Sequence, residues 1–323
     1  MGHPIVTVTI NPAIDATAIA EAVRPTRKIR TSNATLEPGG GGINVARVIA
    51  ELGGRCRAIY CSGGLTGGVF DSLVETAGLD RIRIGIEGST RVSHIVLERS
   101  TGLEYRFVPE GPSIREAEWQ ALLAAVSTCA ADYVVASGSL APGVPSDFCA
   151  RLGAIVRGRG QRFVLDTSGP ALATALDAGG VFLAKPSLGE LESLVGRPLP
   201  TPGEQERAAR EIVTRSGTEL LAVSLGAEGA LLASAAGVVR APAPALRARS
   251  AVGAGDSFLG AMTLRLAQGM TPVEALAWGV AAGSAAVTTS HAELCRRADV
   301  ERIHAELQRA PGPHSEAAVA APG

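Results

Sequence analysis

The sequence predicts an α/β protein: a doubly wound, mostly parallel sheet flanked by helices, with a small β-sheet lid. Three observations lead there. From Glu116 onward, short apolar runs alternate with helical patterns, and repeated β–α alternation builds a parallel sheet with right-handed crossovers. Two strand-like runs, Arg91–Glu98 and Glu104–Val108, have no helix between them and read as a hairpin apart from that alternation. Glycine runs at Gly39–Gly42 and Gly253–Gly255 each lead straight into a helical pattern, as at helix starts that bring backbone close to an anion.

Composition sets the limits. The 323 residues are 46% hydrophobic and 19% charged, enough for a large core in one domain, or one domain with an appendage. Net charge is −1 with no basic run, and aromatic residues are 3%, which argues against a nucleic-acid partner. Five cysteines with no CxxC pair suit neither a disulfide framework nor a zinc site. The N-terminus lacks the pattern of a secretory signal and no apolar run reaches bilayer length, so no membrane partner and a cytoplasmic location are expected. Residues 310–323, rich in Pro, Ala and Gly, read as a disordered C-terminal tail.

Taken in order, Ile5–Ile10 alternates apolar residues with Thr and reads as a strand stopped by Pro12. Asp15 is expected just past its end, where ligands collect in open α/β sheets. Residues 16–35 are more polar. If that stretch is extended, Lys28 and Arg30 share a face and Arg27 points away. Solvated surface is the ordinary reading of such cations; a phosphate ligand would give the pair a purpose. Gly39–Gly42 then launches a helix with Val45, Val48, Ile49 and Leu52 along one face and Gly53-Gly54 at its end. Four glycines are costly to order and fit a backbone that approaches a ligand, with Asn44 placed to bond a ligand hydroxyl.

Arg57–Cys61 is a second strand. The 91–108 hairpin, turning through Ser100-Thr101-Gly102, is expected to cover the site with Arg91 and Arg106 as its cations, and His94 reads as a strand residue rather than a base. A helix around 116–130 leads to strand 132–136 and the loop Ser137–Gly143. Strand 163–167 follows, then Val181–Ala184 ending at Lys185-Pro186-Ser187 with Glu190 and Glu192 beyond. Leu220–Ser224 is a further strand, continued by Leu225-Gly226 and the loop 227–229.

Ser250-Ala251-Val252-Gly253-Ala254-Gly255-Asp256-Ser257 organises the rest. A helix N-terminus carries unpaired N–H groups and partial positive charge. The N–H groups of Gly253, Ala254 and Gly255 can converge on an anion, and the carboxylate of Asp256 beside them can take a proton from an attacking hydroxyl. A plain Asp N-cap after a glycine turn is the alternative. Thr271-Pro272-Val273-Glu274 is a capping box with proline at the first helical position. Its helix, with Ala275, Trp278, Ala282 and Ala286 on one flank, is expected to close the nucleotide side. No internal repeat or interdomain linker is evident.

In this order the Gly39–Asn44 run, the 137–143 loop, Lys185 with Glu190, Ser224-Leu225-Gly226 and Val252–Ser257 resemble the PfkB-type (ribokinase-like) sugar kinases. The likeness covers roughly residues 4–309. Glu37–Arg47 and Trp278–Ala285 look especially like its bacterial 6-phosphofructokinase branch. The resemblance implies a ribokinase-like kinase domain over 1–309, with lid segments at about 14–36 and 90–108. It implies ATP-dependent phosphorylation of a sugar phosphate, fructose 6-phosphate to fructose 1,6-bisphosphate, within glycolysis. Carried over by position, Asp256 is the base and Gly253, Ala254 and Gly255 the anion hole. Asp15, Gly40, Gly41 and Asn44 fall on the sugar hydroxyls. Lys28, Arg30, Arg91, Arg106 and Ser139 fall on the sugar phosphate, with a neighbouring subunit as the alternative source of one of them. Lys185, Ser224, Gly226, Gly229 and Ser284 fall on the ATP side, with Glu190 holding Mg2+ indirectly. K+ is a candidate beside the anion hole, at the backbone of Ser250 and Val252 and the 286–291 region. Family members close the lid sheets of two subunits together, which implies a homodimer.

Two positions depart from the family's pattern: Ser187 where Asn is usual and Ala251 where Thr is common. They put in question the magnesium network and a hydroxyl near the triphosphate. A fructose 1-phosphate or tagatose 6-phosphate kinase fits the same residues, and a non-catalytic nucleotide- or sugar-phosphate-binding regulator would have no use for Asp256. A dinucleotide dehydrogenase is disfavoured because the first strand leads to Asn11-Pro12 rather than a glycine fingerprint.

Overall fold

Strand β1 (Ile5–Thr9) is buried at all five positions and pairs in parallel with a neighbour on each side. Ile and Val interleaved with buried Thr suit a strand covered on both faces. The computed structural model describes residues 5–246, 250, 252–289 and 293–309; the 310–323 segment and Ala251 lie outside these. After β1 come β2 (Ala13–Ala20), β3 (Thr31–Gly39), α1 (Gly41–Glu51), β4 (Cys56–Gly63), α2 (Gly64–Thr76) and β5 (Asp80–Ile86). Next are β6 (Arg91–Glu98), β7 (Glu104–Phe107), α3 (Glu116–Thr128), β8 (Tyr133–Ser137), α4 (Phe148–Gly158) and β9 (Arg162–Asp166). They lead to α5 (Gly169–Ala178), β10 (Leu183–Ala184), α6 (Leu188–Val195), α7 (Pro202–Ser216) and β11 (Leu220–Ser224). The chain closes with β12 (Ala230–Ser234), β13 (Gly237–Ala241), α8 (Ala254–Ala267), α9 (Pro272–Thr288) and α10 (Arg297–Arg309).

The main sheet has nine strands in the order β13-β12-β11-β10-β9-β8-β1-β4-β5. The strands from β5 across to β11 are parallel, and β12 and β13 turn back antiparallel. One apolar layer joins the sheet to α1, α2, α8, α9 and α10, and a second joins its other face to α3, α4, α5, α6 and α7. Fully buried Ile43 and Ile49 of α1 and Leu122 of α3 each contribute about 1.5–3 kcal/mol by leaving water. The strand order reverses between β1 and β8, and the carboxyl ends of those two strands open a crevice where such folds bind ligands.

A second sheet, β3-β2-β6-β7, stands apart. Strands β2/β3 and β6/β7 are antiparallel, and β2/β6 are parallel. Here one expectation is corrected. Asp15 is the third residue of β2, not a loop residue, because Pro12 only turns the chain out of the main sheet into the small one. Lys28 and Arg30 are exposed in the connection between β2 and β3, outside either strand. That connection is tied down by Glu98, whose carboxylate accepts hydrogen bonds from the Val23 N–H (3.0 Å), Ser100 and Thr101 hydroxyls and Tyr105 Oη (2.9 Å). Those bonds, led by the Val23 N–H, hold its carboxyl down to about 2.

Candidate active site

A cleft of about 280 Å³ lies between the crevice and the small sheet. From the lid it is lined by Asp15, Arg91, Ser93 and Arg106; from α1 by Gly41 and Asn44, with Gly40 just before them. Its floor is Ser137–Ser139, Asp166, Thr167, Glu190, Val252, Gly253 and Asp256. The glycines at the start of α1 have a local cause. A Cβ on Gly41 would lie 2.3 Å from Ser137 Oγ, and one on Gly42 2.5 Å from the Val8 carbonyl oxygen. They let α1 press onto β1 and β8, so their first service is packing inside the protein.

Helix α8 is preceded by Gly253 as N-cap at φ 71°, ψ −1°, a left-handed conformation open to glycine without strain. Asp256 is the third residue of α8, so the alternative of an Asp N-cap does not hold. Its Oδ2 accepts a hydrogen bond from Asn44 Nδ2 at 2.9 Å; Asn44 therefore orients Asp256 as well as lining the cleft. Burial, with Asp166 adding negative potential, pushes the Asp256 carboxyl up to about 6, against the pull of Asn44 and Lys185.

Lys185 stands beneath this helix start. It is buried, its Nζ lies 3.3 Å from Asp166 Oδ1, and a Cβ on Gly255 would approach it to 3.3 Å. Burial opposes its charge most strongly, and the facing Asp166 and Asp256 carboxylates outweigh it, so the ammonium is held above its usual range. Asp166 itself is pushed up by burial against the Lys185 charge. No motif in the sequence marks Asp166 or Ser137, whose Oγ donates to Asp166 at 3.5 Å. Their position at the carboxyl ends of β9 and β8 was the available signal.

The lid cations differ. Arg91 donates to the carbonyls of Asn11 (2.8 Å), Pro12 (3.4 Å) and Pro109 (2.8 Å), so its fork joins the lid to the sheet. The Arg106 guanidinium makes no hydrogen bond or ion pair among the described residues and lines the cleft. Asp15 is pushed up to about 6 by burial, opposed by Arg47, Arg106 and Arg91. Arg47 also pairs with Glu37 at 2.7 Å and bonds the Pro38 carbonyl, fixing the end of β3.

Of the remaining positions, Ser139, Glu190 and Val252 line the cleft, and Ser187, Ser224, Gly226, Gly229 and Ser284 are not among its lining residues. Ser187 is the N-cap of α6 in a capping box with Glu190, whose Oε2 accepts its N–H at 2.7 Å and its hydroxyl at 2.9 Å. Ser187 also bridges to Ser224 at the end of β11, and Gly226 and Gly229 shape the turn beyond, Leu225 N–H bonding the Gly229 carbonyl. Ser284 is buried on α9. Ser139 accepts from Asn11 Nδ2 at 3.4 Å. Lys28 and Arg30 are not among the residues lining the cleft of their own chain. Ser250 is buried and Val252 lines the cleft, while His291 lies outside the described residues.

Residues 6–299 match the pfkB family carbohydrate kinases. The chain belongs to that family. Among curated pfkB relatives, it is 43% identical over 305 residues to the ATP-dependent 6-phosphofructokinase isozyme 2 of Mycobacterium tuberculosis, covering 94% of this chain and 89% of that one. It is 39% identical to the isozyme 2 of Escherichia coli K12, covering 94% and 99%. The 1-phosphofructokinase of Bacillus subtilis is 30% identical over 305 residues, covering 94% and 98%. Crystal structures of Escherichia coli phosphofructokinase-2, one with potassium and one with fructose 6-phosphate, superpose with TM-scores of 0.92 and 0.90 at 38% identity, each covering 96% of this chain and all of the other. Arabidopsis thaliana ribokinase shares the fold at TM-score 0.74 and 20% identity, covering 94% of this chain and 99% of that one. As a pfkB kinase, the protein is an ATP-dependent carbohydrate kinase with a ribokinase-like fold.

Proposed function

We propose that the chain is an ATP-dependent 6-phosphofructokinase that transfers the γ-phosphoryl of ATP to the free primary hydroxyl of fructose 6-phosphate. The observation that carries this reading is the position of Asp256 at the start of α8, on the floor of a cleft that the lid cation Arg106 also lines. Asp256 takes the hydroxyl proton as the oxygen attacks phosphorus, and Asn44 keeps its carboxylate aimed. The N–H groups of Gly253, Ala254 and Gly255, with Lys185 beneath them, stabilise the charge on the transferring group. Arg106 binds the sugar phosphate while Asp15 accepts from a sugar hydroxyl. Gly40, Gly41 and Ser139 shape that end, and Arg91 holds the lid in place. Ser224, Gly226, Gly229 and Ser284 frame the nucleotide side.

Among the described residues no three His, Cys, Asp or Glu side chains form a metal cluster. That fits Mg2+ carried largely on the phosphates of ATP, which needs only one or two protein carboxylates. Glu190 offers one, since only its Oε2 is committed to Ser187; Asp166 is a second on the cleft floor. When bound, the ion would neutralise phosphate charge. The shorter Ser187, engaged as a helix cap, leaves Glu190 anchored without the amide usual in the family. Potassium beside the anion hole, at the backbone of Ser250 and Val252, and a homodimer through the lid belong to the same proposal. In such a dimer Lys28 and Arg30, which do not line their own cleft, would reach the partner's.

Identity to 6-phosphofructokinases exceeds that to the 1-phosphofructokinase, which favours fructose 6-phosphate over fructose 1-phosphate as acceptor. ADP release from Mg-ATP with fructose 6-phosphate, fructose 1-phosphate, tagatose 6-phosphate, fructose and ribose, with and without potassium, tests the reading. Highest kcat/KM with fructose 6-phosphate is expected. Preference for an unphosphorylated sugar would overturn the role given to Arg106.

A further inference from the structure

A carboxylate on the lid edge bonds to Ser250, three residues before the N-cap of α8. Glu104 opens β7, the outer strand of the small sheet. Its Oε2 accepts a hydrogen bond from Ser250 Oγ at 2.9 Å, across 146 positions of sequence. The same Ser250 oxygen accepts the N–H of Val252 at 3.2 Å. Ser250 is 8% exposed, so its hydroxyl is enclosed, with its proton and a lone pair both engaged. A hydroxyl that donates to a carboxylate becomes the stronger acceptor, which fixes the Val252 N–H. The next residue is Gly253, whose left-handed turn aims the N-terminus of α8.

Glu104 and Arg106 are two apart on a strand and share one face. Thus one side chain of β7 grips the loop before α8 while the next cation on that face lines the cleft. We propose that Glu104 is a positioning residue for phosphoryl transfer: through Ser250 it sets the lid cation Arg106 at a fixed distance from the α8 N-terminus and seals that side of the cleft against water. The proposal rests on the kinase reading of the site. Reacting groups must be held within a fraction of an ångström, and an open lid admits water as a competing acceptor of the γ-phosphoryl. In that leak Asp256 takes a proton from a water whose oxygen bonds to phosphorus, the bond to the ADP oxygen breaks, and ADP and inorganic phosphate leave.

Two readouts test it. The first needs no substrate and so stands apart from the identity of the acceptor: hydrogen exchange of the ligand-free protein. Glu104→Ala is expected to speed exchange at Glu104–Phe107 and at Val252–Asp256 together. Ser250→Ala should give the same pattern, and the double variant no more. Acceleration confined to β7, no change at all, or additive effects in the double variant would overturn the coupling. The second is steady-state kinetics with the acceptor the wild type prefers. Glu104→Ala should lower kcat about tenfold, change KM for ATP by less than about threefold, and raise the ratio of sugar-free to sugar-dependent ADP release about tenfold. Glu104→Gln keeps an acceptor oxygen and should recover kcat to within about threefold. Unchanged kcat and an unchanged leak ratio in Glu104→Ala would rule out the positioning role, as would equal losses in Ala and Gln.

Discussion

Asp256 is held at a cost to stability that catalysis would explain. Its carboxyl is raised from 3.8 to about 6 by burial first and Asp166 second, so the folded state binds the proton more tightly than the unfolded chain. The penalty is absent below about pH 3.8, grows as pH rises through 6, and is complete above it. At neutral pH it is on the order of 2–3 kcal/mol. Asp256→Asn should therefore raise the thermal midpoint by a few degrees at pH 7.5 while lowering kcat by about 10²–10⁴, with ATP affinity nearly kept in a titration. Near-normal turnover in that variant would remove Asp256 as the base. Since the base must be ionised, kcat/KM should fall as pH drops through about 6, and a rate flat down to pH 5 would contradict this. The two lid arginines should separate cleanly. Arg106→Ala should raise KM for the sugar phosphate at least about tenfold with an unchanged thermal midpoint, whereas Arg91→Ala, which strips donors from the Asn11, Pro12 and Pro109 carbonyls, should lower the midpoint too. Loss of binding without loss of stability in Arg91→Ala would show that its three carbonyl bonds are not structural.

At the level of elements, the start of α1 is set by its fit to the sheet. A Cβ on Gly42 would meet Thr9 Oγ1 at 2.4 Å and the Val8 carbonyl oxygen at 2.5 Å, both in β1 or on its backbone, which cannot move without disturbing the central strand. Gly42→Ala should cost about 1–3 kcal/mol by overpacking, read as a lower denaturant midpoint with an unchanged slope. Gly68→Ala on α2, with open space around its Cβ position, is the control and should be neutral or slightly stabilising. The helix boundaries that carried chemical signals are the ones the sequence located well. Thr271 caps α9 in a reciprocal box with Glu274, as its Thr-Pro-x-Glu order predicts. The edge strand β5 and the strands β12 and β13 carry no such markers, because short strands are defined by the neighbour they pair with.

At the level of the whole molecule, the single chain brings Arg106, Asp15 and Asp256 to one cleft but leaves Lys28 and Arg30 outside it. If the second subunit supplies Lys28, mixing two inactive variants restores function. Lys28→Ala and Asp256→Asn, unfolded together and refolded, form hybrid dimers in which one site has both an intact base and an intact partner lysine. Activity should return well above that of either variant alone. No recovery, with hybrid dimers demonstrated by mass, would place Lys28 in its own chain's site or in none.

By itself the sequence determined the α/β class, the hairpin of the small sheet and the glycine turn that leads into α8 just before Asp256. These are legible because they follow from local rules: strand and helix periods, capping residues, and glycine where φ must be positive. Only the tertiary structure decided who faces whom. It moved Asp15 from a loop onto β2, turned Asn44 toward Asp256, placed Lys185 against Asp166 under the α8 N-terminus, and gave Arg91 to backbone carbonyls while the Arg106 guanidinium makes no hydrogen bond or ion pair among the described residues. It also joined Glu104 to Ser250 across 146 residues. Such pairings depend on strand order and on the reversal between β1 and β8, and no periodicity within one segment encodes the distance between two segments.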